Sequence, residues 1–464
     1  MLALPYNSAI YQESILNTKR ALILLILAII LFPISEIIRV YMPGQPVVIS
    51  GLPLLCLTWL WLVHLKRAIP SCLYRSVIPI LILCGIGLTK AVLEYIPTDS
   101  IVKSLTSELV WFVPAFVLYR LARIQSVRYY LTLTFAVIIV LSLFFTLYNI
   151  FAGSELWFIP KLHGTVTGRL YGDEFVSYYY GIFRTAPTYS QFIVYSTVPL
   201  FVTWLSNDSK YYSRTARIIV FVAMLSLLPQ AILAGRRSQF MMVTGVLCGC
   251  FMALTGTIRR IILGFLFTLI LFIFLVLYPS LLFSQTRLAH NTGYLWRDFV
   301  DRAKLNVLTE EDFRVLTPFG HGSGAAGYAA LMSRDKTHRE KAREIAGTHL
   351  AMHYGWYQCI YTYGYVGLIM KLICFGNIFF IFVRQSLLGS KAARISLGLF
   401  IMVMLVYFFI QTSFLESITG GVLFGMVTGY GLSLSCIDVS ENVERVEIYG
   451  LSSQLAKSRF IYEG

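Results

Sequence analysis

Charge is what this sequence has least of. Of 464 residues only 13% are Asp, Glu, Lys or Arg, about half the share typical of soluble domains. With 57% hydrophobic and 15% aromatic residues, that shortage excludes intrinsic disorder, a soluble enzyme and a disulfide-stapled secreted domain. Acid is the scarcer sign: 23 Asp and Glu stand against 38 Lys and Arg, a net charge of +15. No long basic tract or basic domain accompanies the excess, so no nucleic-acid partner is implied. The eight cysteines lack metal-site spacing with His; Cys56, Cys84, Cys248, Cys250, Cys359 and Cys374 fall inside apolar runs and read as small apolar residues. There is no internal repeat, which weakens the case for transporter folds built from duplicated halves. Strand-length alternation of polarity, the mark of a membrane β-barrel, is also absent. No cleavable signal peptide is expected, because the first apolar run begins near Ala21 and is too long for one.

What the sequence has is apolar runs near 20 residues, each long enough to span the ~30 Å hydrocarbon core as a helix. They predict an all-α, polytopic transmembrane helical bundle of about twelve spans. The spans are 21–41, 46–65, 77–96, 105–122, 129–152, 189–206, 215–235, 239–256, 260–283, 354–383, 394–413 and 417–436. Between them the basic residues alternate from rich to poor, as cytoplasmic and external loops do. Lys19 and Arg20, Lys66 to Arg75, Arg120 to Arg128, Lys210 to Arg217, Arg259 and Arg260, and Arg384 to Arg394 mark one side. Glu94, Asp99, Glu155, Asp173 and Glu174 mark the other. Both termini are then cytoplasmic. The expected organisation is N-terminal transmembrane helices over 1–283 with an external loop at 153–188, a large external loop at 284–353, C-terminal helices over 354–436 and a cytoplasmic tail at 437–464. Loops this long in a compact protein are usually functional. The large loop contains Ser333 to Glu344, dense in charge, with Lys336 and Glu340 at i,i+4. It predicts a short surface helix.

Three features break the pattern. Arg236 and Arg237 sit at the outer junction of the seventh and eighth spans, against the basic-inside rule. Snorkelling to lipid phosphates accounts for them without a function; an anion site accounts for them with one, since the guanidinium fork binds phosphate through two parallel hydrogen bonds. The second feature is Thr317-Pro-Phe-Gly-His-Gly-Ser-Gly324, whose close glycines allow tight turns and close approach. It lacks the Gly-Lys-Ser/Thr ending of a Walker loop. The third is the return into the membrane from His349 through His353 to Gly364 and Gly367. His349 and His353 share one face of a helix. No Glu follows His349 and no third ligand is evident, so no metal is assigned. A neutral histidine at a helix mouth is a base candidate. Trp157, Tyr171 and Tyr178 to Tyr180 in the first outer loop suit sugar stacking and ordinary interfacial anchoring equally.

Together these segments resemble the O-antigen ligase / O-antigen polymerase superfamily of bacterial membrane glycosyltransferases. Arg184-Thr-Ala-Pro-Thr-Tyr-Ser-Gln-Phe192 is similar to its arginine-led segment, and Ala234-Gly-Arg-Arg-Ser238 to its Gly-Ser-Arg turn. Pro318 to Gly324 is similar to its Pro-Leu-Phe-Gly-x-Gly-x-Gly loop. His353-Tyr354, nine residues, Gly364, two residues and Gly367 follow its His-x9-Gly-x-x-Gly pattern. Tyr354 replaces a small amide or hydroxyl residue, and Thr292 stands where relatives carry arginine four residues before the loop tryptophan, here Trp296; Arg287 or Arg297 is the nearest substitute.

The resemblance implies transfer of a glycan from an undecaprenyl-diphosphate carrier to a glycan or lipid-linked acceptor at the outer face of the inner membrane. It implies contact with membrane lipids and other polysaccharide-assembly proteins, and no cofactor. His353 and Arg237 become the expected catalytic pair. Arg236, Arg184, Arg287, Arg297, His349, His321, Gly322 and Gly324 become the expected substrate-binding set. The altered His-Tyr pair favours a polymerase over a ligase. The rival classes are a transporter or flippase, which should carry charges near the midplane, and a scaffold, which needs no Arg/His set. Lys90 and Lys371, within spans, are the charges that fit transport.

Overall fold

The computed structural model describes residues 8–41, 51–65, 70–152, 169–171, 174–176, 182–183, 186–205, 212–233, parts of 243–254, 317–331, 333–348, 355–409, 415 and 417–437. In them the protein is a helical bundle. Its helices are α1 (Ser8–Tyr41), α2 (Leu52–Trp59, continued by a π turn over Leu60–His64), α3 (Ser71–Leu93), α4 (Thr98–Leu109), α5 (Phe112–Leu121), α6 (Gln125–Ala152), α7 (Ala186–Leu205), α8 (Arg214–Leu233), α9 (Gly327–Leu331), α10 (Lys336–Thr348), α11 (Gly355–Leu387), α12 (Lys391–Phe409) and α13 (Ile418–Ile437). Among the described residues six segments are long and apolar enough to cross a membrane: Cys72–Leu93, Thr98–Leu121, Gln125–Tyr148, Gly355–Leu387, Lys391–Phe408 and Ile418–Ile437. The chain is therefore a multi-pass membrane protein.

One expectation needs correction. The hydropathy places the fourth span at 105–122 and leaves Asp99 in the preceding loop. The helix instead starts at Thr98, after Pro97. Asp99 stands in its first turn, where a carboxylate suits the positive end of the helix dipole. The helices make the chain all-α, as expected; a small antiparallel ribbon, β1 (Arg169–Tyr171) paired with β2 (Glu174–Val176), joined in sequence by Gly172-Asp173, accompanies them.

The bundle is centred on α12 and α13, whose apolar stretches are 78% and 89% buried, against 33% for α11. Small residues explain the centre. Gly421, Gly425 and Gly429 fall at four-residue intervals along α13. A Cβ on them would strike Val110, the Trp111 carbonyl and the Ala115 carbonyl of the α4–α5 region. Gly398 of α12 meets Gly245 and Gly249 in the same way. In lipid, where hydrophobic burial offers helices no preference for each other over acyl chains, such backbone approach is what holds them together. Rings fill the space beside the seams: Trp111 stacks on Phe112 at 3.8 Å between centroids and meets Phe424 edge-on at 5.7 Å.

One end of the bundle is basic. Arg128 donates to the carbonyls of Ala122 and Arg123 just past α5 (3.2 and 3.3 Å), Lys391 to Leu205 at the end of α7 (3.4 Å) and Arg394 to Ser386 near the end of α11 (3.3 Å). Helix C-termini present carbonyls without intrahelical partners, and cations satisfy them.

Candidate functional site

The opposite end carries Glu94 and Asp99, and here the glycine-rich segment folds down onto the helices. Asp99 accepts from the Arg334 amide at 2.8 Å and from the Ser333 hydroxyl at 3.1 Å, and pairs with Lys103 at 3.2 Å. Ser100 donates to the Ala329 carbonyl at 3.3 Å. These contacts lay α9 and the start of α10 over the mouth of α4. Asp335 caps α10 by accepting from the His338 amide at 2.9 Å. The Lys336–Glu340 pair expected from the spacing is formed at 3.8 Å on an exposed face. His338 donates through Nε2 to the Gly324 carbonyl at 3.0 Å.

The glycine segment also enters a break in α11. Gly364 has φ 73° and ψ −176° inside that helix, a region open essentially to glycine alone. Past such a residue the ladder cannot run straight through, and a carbonyl left unpaired at membrane depth costs several kcal/mol (about 4 or more). The loop supplies partners. The His321 amide donates to Tyr361 O and the Gly322 amide to Thr362 O, both at 2.9 Å, while the Val366 amide donates to Pro318 O at 3.2 Å. Ser323 donates its amide to Gly87 O of α3, also at 2.9 Å. Gly320, Gly322 and Gly324 all take positive φ (64°, 99° and 85°). A Cβ at Gly322 would collide with the Ala91 amide, and one at Gly364 with the Pro318 carbonyl. These glycines approach backbone of α3, α4 and α11. His321 emerges at the rim, with Nδ1 3.3 Å from Glu94 Oε2 and its ring 4.7 Å from that of Tyr361.

Beneath the loop lies an ion pair. Lys371 Nζ is 2.7 Å from Glu108 Oε1 and 2.6 Å from the Tyr407 hydroxyl; the Lys371 and Glu108 side chains are 4% and 8% exposed. Glu108 is about 15 Å along the helix from Thr98 at 1.5 Å per residue, near half of the hydrocarbon thickness. It lies just before Val110–Trp111, where α4 passes into α5 with both residues still in helical conformation. A cleft of about 420 Å³, counting its open mouth, leads to the pair between α4, α11 and the residues entering α9. Lys103, Ser107, Gln358, Thr362 and Tyr363 are among its walls. Ser104 and Tyr363 close one side through a 3.0 Å hydroxyl–hydroxyl bond.

Of the site residues expected from sequence, the structure brings His321, Gly322 and Gly324 to the acidic end, against Glu94 and the broken turn of α11. Arg184, Arg236, Arg237, Arg287, Arg297, His349 and His353 lie outside the described residues. Sequence reasoning singles out Lys371 without a partner and passes over Glu108, Tyr407 and Thr362. The signal was available for Glu108: an acid within an apolar span calls for a cation in another. No family model matches the chain, and no curated protein matches it. The family reading therefore rests on the four segments quoted above.

Proposed function

We propose that the protein is an integral-membrane glycosyltransferase of the O-antigen polymerase and ligase type. It extends undecaprenyl-diphosphate-linked oligosaccharide on the outer face of a bacterial inner membrane, as a polymerase in preference to a ligase. In this reading the chain has about twelve spans, cytoplasmic termini and a catalytic external loop at 284–353. Arg237 and Arg236 hold the diphosphate, and Arg184, His349 and Arg287 or Arg297 complete the site. Negative charge grows on that leaving group as the glycosyl bond breaks, so fixed guanidinium groups stabilise the transition state more than the ground state. His353 accepts the proton of the acceptor hydroxyl or orients that hydroxyl for attack. The diphosphate is already activated, so no nucleotide is needed.

One observation supports this reading most. Two segments that the resemblance singles out, Pro318–Gly324 and Gly364–Gly367, are remote in sequence, yet three backbone hydrogen bonds join the loop to Tyr361, Thr362 and Val366 around the Gly364 break. A chance pair of glycine-rich stretches has no reason to interlock. The test is a reaction with purified protein in nanodiscs and undecaprenyl-diphosphate oligosaccharide as the sole glycan. The expected product is a ladder of longer lipid-linked chains, abolished in Arg237→Ala and His353→Ala. Product only after lipid A core is added makes the enzyme a ligase.

A second reading, a lipid-linked glycan transporter, is favoured by one specific observation: the buried Glu108–Lys371 pair joins the interiors of two candidate spans, one of them broken at Gly364. Movement of the intact lipid-linked oligosaccharide across a reconstituted vesicle membrane, with no ladder, would establish it and remove the transferase.

A further inference from the structure

We propose that Tyr189 and Gln230 are positioning residues, whose buried hydrogen bond sets the spacing between Arg184 and the Arg236–Arg237 turn. The inference deepens the transferase reading, on which the role of those arginines rests. Tyr189 Oη donates to Gln230 Oε1 at 2.7 Å. Gln230 Nε2 donates to the Ile139 carbonyl at 3.2 Å and to the Ser226 hydroxyl at 2.9 Å. Both side chains are fully buried, and the carboxamide has its oxygen and both N–H groups engaged. One amide thus joins α6, α7 and α8. Elsewhere helices meet through glycines, as Gly398 does with Gly245 and Gly249, a contact that fixes how near two helices come. Directed bonds from one amide to three helices also fix their relative height.

The bond lies where the two arginine segments meet the bundle. Near the start of α6 the Tyr129 carbonyl accepts from the Tyr212 hydroxyl, beside the start of α8 (3.5 Å), and the end of α7 meets Lys391. Both contacts belong to the basic end, so α7 starts and α8 finishes at the acidic end, with the glycine loop. Tyr189 is in the first turn of α7, five residues after Arg184; Gln230 is in the last turn of α8, six before Arg236. The arginines themselves lie outside the described residues, and covalent geometry limits their distance from what is described. The Cα of Arg184 is about 3.8 Å from that of Phe183, and the Cα of Arg236 is within about 11 Å of that of Leu233. Phe183 is fully buried, its ring 5.7 Å from that of Tyr189 and 5.2 Å from that of Phe192. Gln191 donates to Ser417 Oγ at 2.9 Å, and the same oxygen accepts from the Gly420 amide in the first turn of α13. The start of α7 is therefore held from α8 and from α13. Guanidinium groups that share one diphosphate need such a frame, since a displacement of about 1 Å costs roughly 100-fold in rate.

The experiment has two parts, both on the full chain in nanodiscs. In the first, a variant with Thr185→Cys and Gly235→Cys is treated with a bis-maleimide, and the linked peptides are identified by mass spectrometry. The link is expected to form, to fall several-fold when Gln230→Leu is added, and to persist when Thr203→Val is added. Thr203 bonds Thr132 and Tyr430 nearer the basic end (2.9 and 3.2 Å), so its loss weakens the bundle away from the arginines. In the second part, ladder growth is followed against the concentration of lipid-linked oligosaccharide. Tyr189→Phe and Gln230→Leu should each lower kcat about 10–100-fold, with KM changed less than about twofold. Their double variant should be no worse than Gln230→Leu, because both remove one bond. Thr203→Val should lower the melting temperature and keep kcat. The proposal is overturned if the pair does not link, if Gln230→Leu leaves link and kcat unchanged, or if Thr203→Val lowers kcat as far as Gln230→Leu does. A chain that links as expected but builds no ladder loses the transferase reading and keeps the placement; a ladder indifferent to Tyr189→Phe and Gln230→Leu does the reverse.

Discussion

The two ends of the bundle treat helix backbone in opposite ways. At the basic end helices finish conventionally, and Arg128, Lys391 and Arg394 satisfy the last carbonyls. At the acidic end a helix is interrupted, and another stretch of chain supplies the missing partners: His321 and Gly322 donate to Tyr361 and Thr362, and Pro318 accepts from Val366. The first arrangement uses local charge and tolerates exchange of one cation for another. The second uses tertiary backbone contacts and tolerates almost none. Its return is a broken turn, Tyr361–Gly364, whose carbonyls are met by the loop instead of by the helix's own ladder.

The comparison breaks hardest at the ion pair. Lys371→Met removes one partner of a pair whose side chains are 4% and 8% exposed and leaves Glu108 buried beside Tyr407. The expected loss is about 3–5 kcal/mol, read as a lower melting temperature in detergent. Adding Glu108→Gln to Lys371→Met should recover most of it, because two neutral groups of similar size replace two charges. A double variant as unstable as the single one would mean that packing, not uncompensated charge, sets the cost.

Next comes the break itself. Gly364→Ala forces a Cβ into φ 73°, ψ −176° and against the Pro318 carbonyl. The backbone strain alone is about 1–3 kcal/mol, and the collision adds to it by pushing the loop off α11. The variant should melt earlier, and a protease cutting in the 317–324 segment should act faster on it. Equal stability and equal protection would show that the loop does not depend on the break.

Much of this was legible, and the failures share a cause. Spans at α3, α6, α11, α12 and α13 follow from long, strongly apolar runs. The start of α4 does not, since Thr98–Glu108 carries Asp99, Lys103 and Glu108. Its polar face is explained only by partners such as Ser333, Arg334 and Lys371, all more than 200 residues away. Glycine is equally ambiguous. The spacing from Gly320 to Gly324 announces a close approach without naming what is approached, and in the fold Gly320, Gly322 and Gly324 approach other backbone. The seam of Gly421, Gly425 and Gly429 was readable as a helix-packing pattern, but its partner, the backbone around Trp111, was not. In each case the residue type fixes a requirement and the tertiary fold fixes who meets it.

The smallest effect sharpens this distinction within one helix. Gly376 lies in α11 beyond the break, exposed, with nothing within 4 Å of a Cβ placed there. Alanine at that position collides with nothing and lowers the conformational freedom of the unfolded chain. Gly376→Ala should therefore stabilise the protein by about 0.5–1 kcal/mol, a small rise in melting temperature. The same replacement at Gly364 should lower it. Opposite signs for one chemical change in one helix would show that the two glycines do different work, Gly376 as a lipid-facing residue that alanine can replace and Gly364 as the point where the loop enters. Equal signs would mean that α11 behaves as a single ordinary helix, and the contrast between the two ends of the bundle would have to rest on the Asp99 and Glu108 contacts alone.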